Sequence, residues 1–517
     1  MTGSHGSLEA VLLEQFEHKG TAALLDLHGW FNGVIIDLRQ QQAILFNDRY
    51  GLGRIYLHQV DNCISFSSDA KSLLNVLPAT RQLDPRGLAE WLTCGCVLQN
   101  RTLFKDIELL PPGSAWTFSH DGRVTKHRYF DPRTWESQPM LAPEEYYQQL
   151  KELFPRVLKR YINGPEPVAM SLTGGLDGRM IMAWANRPAG GLPCYTFNGT
   201  VRDCADVKLA RKVARVCGQP HQTIVVGGDF LQQFQNLAEK CVYETDGAMD
   251  VTGAAELYVN RLAREVAPVR LTGNYGSEIL RRYVAFRPRR FSSELLAPEM
   301  GEYLRAAEAT YASETRCHPL SFIAFKQVPW HHFARFAAER SAIDVRSPFL
   351  DNDLVRLAFQ APAETAGNVA PSLRLIVDGK PELGKIPTDR GLTWPVRSKA
   401  NFLKRQVSDF LTKAEYAYDY GMPDWLARLD NYVAPLKIER LFLGHQKFCH
   451  FRSWYQQDLA GQVRELLLSR ASARFAWIKA GVAEELTRAH LRRAGNHTLA
   501  LHKLMSLELI ERKLLGN

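Results

Sequence analysis

Apolar and polar positions divide the chain into two regimes of different period. Up to about residue 130 the apolar residues come in short runs broken by turn signals: an alternating run over 30–37, an apolar run over 43–46, and further runs over 55–57 and 64–67. These predict a β-rich N-terminal region. One helical pattern interrupts it over 85–92, opened by Asp84 as a cap and Pro85 at the first helical position. Pro111-Pro112-Gly113, a strand over 114–118 and the turn His120-Asp121-Gly122 predict a closing hairpin. The Pro-rich, polar stretch 131–143 predicts a linker, and with it a division of the chain into 1–135 and 140–517.

After the linker the period changes. A helix is predicted over 144–162, an apolar strand over 168–172, a Gly-rich turn, a helix over 178–185 and a strand over 194–197. The next helix places Val207, Ala210, Val213, Ala214 and Cys217 on one face, with Gly218 just past its end. Strands alternating with helices predict a parallel α/β sheet, to which 223–226 and 269–272 add further strands. Beyond about residue 290 the pattern is mainly helical, down to an amphipathic segment over 499–515.

Length and composition narrow the class. At 517 residues, 45% hydrophobic and 23% charged, the chain exceeds one ordinary core and suits two or three domains. No run of about 18 apolar residues is present, and the N-terminus lacks a basic region followed by an apolar one, which points away from membrane spans and secretion and towards the cytoplasm. Lys+Arg 64 against Asp+Glu 55 gives +9, an excess that suits anionic ligands such as nucleotides without demanding nucleic acid. Nine scattered cysteines read as reduced, mostly buried thiols, and Cys94 with Cys96 lacks a second pair at zinc spacing.

The segment with the most chemistry is Met170-Ser171-Leu172-Thr173-Gly174-Gly175-Leu176-Asp177-Gly178-Arg179. It lies where an apolar strand hands over to a helix, a junction whose free N–H groups and helix dipole favour an anion, and whose glycines let backbone approach phosphate oxygens. Asp177 at the helix start suits a magnesium ion. As an isolated pattern the turn is common, and a plain structural turn is an equal reading.

In company it is more specific. Residues 173–178 resemble the SGGxDS pyrophosphate loop of the ATP-pyrophosphatase enzymes, and the chain is similar to the asparagine synthetase family. The order Tyr195-Thr196-Phe197, Asp206 to Ala210, Val213-Ala214 and Gly218 to His221 resembles that family's second strand and following helix. Arg346-Ser347-Pro348-Phe349-Leu350-Asp351 looks like its RxPFLD segment, and Asp48-Arg49-Tyr50-Gly51, Phe66-Ser67-Ser68-Asp69 and Leu109-Leu110-Pro111-Pro112-Gly113 resemble the later part of its amidotransferase domain.

The resemblance implies an α/β protein: a β-rich, Ntn-hydrolase-like (αββα) N-terminal domain, then a parallel-sheet ATP-pyrophosphatase domain with a mainly helical C-terminal part. It implies a carbon–nitrogen ligase in which a carboxylate attacks the ATP α-phosphate and an amine displaces AMP. By carry-over, Leu172, Asn198, Thr272 and Gly273 line the nucleotide, while Thr173, Gly174, Gly175, Leu176, Asp177 and Gly178 hold the pyrophosphate end. ATP and Mg2+ are the implied cofactors. The family's SGxGxDE motif corresponds to Thr272-Gly273-Asn274-Tyr275-Gly276-Ser277-Glu278, which aligns in two ways. The preferred one inserts a residue, gives Glu278 the magnesium position and puts Tyr275 where the family has a catalytic Glu or Tyr; a surface carboxylate at a helix N-terminus is the rival reading of Glu278.

Three departures qualify the resemblance. Glutamine-dependent members begin with a Cys, whereas here Thr2 follows Met1 and no cysteine precedes Cys63, so a missing glutaminase is expected unless the true start lies upstream. The family's catalytic Lys has its nearest counterpart in Arg390, which keeps a positive charge but donates no proton; Lys385 and Lys399 are substitutes, and a structural salt bridge is an equal reading. Gly178 and Ser277 replace family residues. The basic stretch Arg281-Arg282 to Arg290 reads as a solvated loop, and His331-His332 as core or surface imidazoles.

The expected activity is adenylation of aspartate or a related small-molecule or peptide carboxylate and amide formation with ammonia, an amine donor or a separate glutaminase as partner. No nucleic acid or membrane is expected, and a homodimer stays open. The alternatives are a β-lactam synthetase or lasso-peptide cyclase-like enzyme, or a nucleotide-binding protein whose catalytic centre has decayed.

Overall fold

The computed structural model describes residues 8–61, 63–289, 295–394, 402–422, 443–468, 477–479 and 481–516. Thr2, Arg290 and Lys399 lie outside the described residues. In chain order the N-terminal strands are β1 (Asn32–Asp37), β2 (Gln42–Asn47), β3 (Tyr56–Val60), β4 (Cys63–Ser67), β5 (Glu108–Leu109), β6 (Ser114–Ser119) and β7 (Val124–Arg128). They form two antiparallel sheets, ordered β1-β2-β6-β7 and β4-β3-β5. β1 starts two residues later than the alternation predicts, because Trp30 leaves the sheet and packs edge-on against Phe336 and Tyr275, at centroid distances of 4.6 and 6.3 Å. The helix α1 (Pro85–Cys94) is capped as expected: Gly87 N–H donates to Asp84 Oδ1 at 2.6 Å, and Gly95 ends the helix at φ 75°.

The stretch read as a linker is packed. Trp135 within it is buried, 4.6 Å from Phe130 and 5.9 Å from Phe325 by ring centroid. The helix α2 (Pro143–Ile162) follows, and then the parallel strands β8 (Val168–Ser171), β9 (Cys194–Gly199), β10 (His221–Val226), β11 (Val269–Thr272) and β12 (Asp344–Arg346), ordered β10-β9-β8-β11-β12. Every residue of β8 and β11 is buried, as a central parallel strand with both faces covered requires. The covering helices include α3 (Leu176–Trp184), α4 (Ala205–Val216), α5 (Gly228–Glu244) and α6 (Gly253–Arg264). The face predicted for α4 holds: Val207, Ala210, Val213 and Ala214 are buried. The fold class is α/β.

The C-terminal segment differs from the amphipathic reading. The helix α7 (Thr498–Ile510) buries ten of its thirteen residues, His502, Ser506 and Glu508 among them, so it is a central helix and not a surface one. Its polar residues made a polar face in sequence; in the fold they face neighbours, as when Val251 N–H donates to Ser506 Oγ at 2.9 Å.

The β-rich and parallel-sheet regions share one continuous core. Tyr50 stacks on Phe325 at 5.6 Å, and Asp246 accepts N–H bonds from both Ala70 and Lys71 at 3.0 Å. Asp351 of the RSPFLD segment is fully buried and takes Arg160 Nη1 at 3.0 Å and His28 Nδ1 at 3.2 Å. Asn352 Nδ2 donates to Leu27 O at 2.8 Å.

Candidate functional site

Neighbouring strands β8 and β11 send their connections in opposite directions, β8 towards β9 and β11 towards β12, which makes their carboxyl ends a topological switch point. The pair is in register, Thr272 beside Ser171, so the turns that follow emerge side by side. Between and above them lies a cavity of about 380 Å³.

The two turns are interlocked through glycine. A Cβ on Gly273 would come within 2.7 Å of Gly178 N, and one on Gly276 within 2.5 Å of Asp177 Cγ. Gly178 leaves room in turn for Met170 and Leu172, whose side chains would lie 3.2 and 3.3 Å from a Cβ there. The glycine that departs from the family pattern thus suits this close approach. Tyr275 supplies the remaining sharp bend at φ 71°, a left-handed conformation that costs an aromatic residue about 1–3 kcal/mol and that clusters at functional sites. Asp206, at the start of α4, accepts Gly174 N–H at 2.8 Å and fixes the first turn from the side.

Asp177 is the electrostatic focus. Burial pushes its carboxyl up to about 6 despite Arg281, whose Nη2 donates to Oδ2 at 2.8 Å; Glu278 and Asp389 add to the rise. Its other oxygen, Oδ1, is buried without a hydrogen-bond partner. A divalent cation is implied by the resemblance, and the residues fit one: a buried, unpartnered carboxylate oxygen with a second carboxylate, Glu278, near enough to be felt is a hard-oxygen donor set. Glu278 Oε2 accepts the Ser277 hydroxyl at 2.7 Å, and its Oε1 lies 3.7 Å from His332 Nε2. Burial lowers the His332 pKa to about 4, so the ring is neutral at pH 7.

The structure brings Leu172, Thr173, Gly175, Asp177, Gly178, Thr272, Gly273, Tyr275 and Glu278 to the cavity wall. Gly174 and Leu176 belong to the same turn without lining the cavity. Asn198, next to last in β9, has its side chain engaged elsewhere, Nδ2 donating to Asp203 at 3.3 Å and Oδ1 accepting Cys204 N–H at 3.2 Å. Arg390 is exposed and does not line the cavity, nor does Lys385. Arg281, read from sequence as part of a solvated loop, is the cation beside the first turn, because α8 (Gly276–Arg281) ends with it facing Asp177.

Sequence reasoning also missed the far wall. Arg270 lies in the middle of the buried strand β11, paired with Glu339 at 3.2 Å and donating to Asn260 Oδ1 at 2.8 Å. Arg335 Nη2 pairs with Glu256 at 3.0 Å, and Gln446 with Phe448 closes the wall opposite. An arginine in a strand otherwise apolar was the one available signal, since such a charge is almost never buried unpaired.

Residues 149–366 match the asparagine synthase family and residues 4–130 the glutamine amidotransferase domain family. An asparagine synthetase [glutamine-hydrolyzing] 1 from Bacillus subtilis is 23% identical over 279 residues, covering 54% of this chain and 43% of the relative. An asparagine synthetase [glutamine-hydrolyzing] 2 from Arabidopsis thaliana is 21% identical over 446 residues, 81% of this chain and 64% of the relative. The chain thus spans about half the length of the curated relatives it matches. Among solved structures, a glutamine-dependent NAD+ synthetase from Acinetobacter baumannii in complex with ADP covers 52% of this chain and 66% of its own at 16% identity and a TM-score of 0.20, a likeness too slight to carry an argument. Two matched families in the order the sequence motifs follow, over most of the chain, leave one reading: the chain belongs to the asparagine synthetase family.

Proposed function

We propose that the chain is an ATP-dependent ligase that activates a carboxylate as its adenylate and joins it to an amine, releasing AMP and pyrophosphate. The observation that carries the reading is the paired glycine turns at the switch point, with a buried Asp177 Oδ1 left without a partner between them. The free backbone N–H groups at the start of α3, beside the glycine turn, hold the β- and γ-phosphates, and the helix adds its dipole. Asp177 and Glu278 hold Mg2+, which when bound offsets the charge that leaves with pyrophosphate. Arg281 stands where Arg390 was expected, as the fixed positive charge at the phosphate end. Tyr275 and neutral His332, in edge contact at 5.6 Å, border the place where the acid meets the α-phosphate. There a carboxylate oxygen forms a bond to phosphorus as the bond to pyrophosphate breaks; the amine nitrogen then attacks the acyl carbon, loses a proton, and AMP departs.

The amine enters as ammonia or as an amino group of the substrate.

ATP–pyrophosphate exchange with a panel of carboxylates tests the reading. Exchange with aspartate identifies an asparagine-forming enzyme, exchange with another acid alone a β-lactam synthetase- or cyclase-like one. Absence of exchange with every acid, in protein that still binds ATP, overturns the ligase reading in favour of a decayed nucleotide-binding protein. Asp177→Ala is expected to lower exchange at least a thousandfold with the fold intact by circular dichroism.

A further inference from the structure

A second cavity, of about 850 Å³, lies behind the histidine wall of the nucleotide cleft, where the end of α1, the segment 283–289 and the start of α7 meet. It is of the size that takes an organic ligand. The π-helical turn Ile323–His332 separates the two spaces: His332 lines the cleft and His331 the second cavity, their rings 5.3 Å apart. Tyr283, on the second cavity, donates its N–H to Ser277 O of the cleft at 3.2 Å.

The chemistry of this wall is of two kinds. Flat faces are presented by His331, stacked on Phe286 at 4.9 Å and 3°, and by Tyr420 with His502 at 6.0 Å. His502 is 3% exposed, and its Nε2, like His331 Nδ1, is buried without a hydrogen-bond partner. Such atoms call for a ligand group or a water. Burial keeps both imidazoles neutral at pH 7, so the permanent positive charge comes from Arg287, Arg289 and Lys503. The one carboxylate on the wall, Asp250, is already occupied by Lys503 at 3.6 Å and by Thr252. Arg287 and Arg289 are exposed at the mouth and have no ion-pair partner among the described residues.

We propose that this cavity is a binding site, separate from the cleft, for a flat aromatic acid: its ring lies among His331, Tyr420 and His502, and its anionic group lies at Arg287 and Arg289. The binding is independent of the ligase reading, because no nucleotide is needed to measure it.

The probe is 2-naphthoate, with neutral 2-naphthamide as its control, titrated calorimetrically into the full chain without ATP. Naphthoate is expected to bind about tenfold more tightly than the amide, the worth of one charge-assisted contact. The double substitution Arg287→Gln/Arg289→Gln removes that preference, Ala500→Trp, which narrows the cavity, weakens binding of both, and Asp177→Ala leaves both unchanged. Equal affinity for the two probes, no binding at millimolar naphthoate, or a preference that survives the arginine substitutions overturns the proposal, whatever the exchange assay returns.

Discussion

Asp48 is completely buried and still accepts three backbone N–H groups, from Tyr50 at 2.8 Å, Leu52 at 3.4 Å and Gly53 at 2.6 Å. Those bonds favour the anion, burial opposes it, and burial wins: the carboxyl is pushed up from 3.8 to about 6. The native state therefore holds a proton that the unfolded chain has lost across that window, so ionising Asp48 destabilises the fold as pH rises from about 4 to about 6. Two pKa units correspond to on the order of 3 kcal/mol. Asp48→Asn keeps an acceptor oxygen and removes the titration. Urea midpoints of both proteins between pH 4 and 6.5 are expected to draw apart, wild type losing ground as pH rises; a difference flat across the window would show that the N–H bonds outweigh burial after all. The same balance acts at Asp177, where one oxygen has Arg281 and the other no hydrogen-bond partner, the feature on which the proposed cation site rests.

At the scale of elements, the strand–turn–helix over 168–184 was legible because an apolar run, two glycines and an Asp each announce themselves locally. What surrounds it was not, because it depends on parts far apart in sequence. Arg281 reads as surface until α8 turns it onto Asp177, and His332 reads as core until the π-helical turn places it in the cleft. Arg390 shows the converse, a charge in the right stretch of sequence whose side chain stays in solvent. The glycines give this a test. Gly276→Ala sets a methyl about where Asp177 Cγ lies, 2.5 Å from the ideal Cβ, whereas Gly175 has no neighbour nearer than 3.6 Å. Thermal unfolding is expected to show a loss of about 1–3 kcal/mol for Gly276→Ala and almost none for Gly175→Ala, with Mg·ATP affinity falling at least tenfold in the former. Equal stability of the two would mean that the turns yield and are not interlocked. Arg179, buried with no ion pair among the described residues, donates to Gly174 O and Pro387 O at 3.2 Å and to Ile386 O, which ties the first turn to the segment carrying Asp389. Arg179→Leu strands those carbonyls, and chemical denaturation should register a cost above about 2 kcal/mol.

Across the whole molecule, the composition change near residue 131 falls between the last antiparallel strand and the first parallel one, yet it says nothing of how the two regions bear on each other. The contacts between them are of a kind that neither side replaces with water cheaply. Trp30 reaches Tyr275 and Phe336, Tyr50 lies on Phe325, and Arg54 sits 3.4 Å over the Phe333 ring with its Nη2 donating to Pro329 O at 2.6 Å. In the other direction, the buried Asp246 accepts the first two N–H groups of the helix Ala70–Val76, whose cap, Asp69, holds Ser72 N–H at 2.9 Å. Removing residues 1–135 would expose Phe325 and Tyr275 and leave Asp246 and Asp351 without partners from the missing region. We therefore propose that the two sequence regions fold as one cooperative unit although they match two families. A fragment of residues 140–517 is expected to be aggregated or partly unfolded by size-exclusion chromatography and near-ultraviolet circular dichroism, and the full chain to unfold in a single calorimetric transition. A monomeric fragment with sharp near-ultraviolet signals and ATP affinity equal to that of the intact protein would show that the parallel-sheet region sustains its cleft alone, and that Trp30 and Tyr50 only rest on a surface already formed.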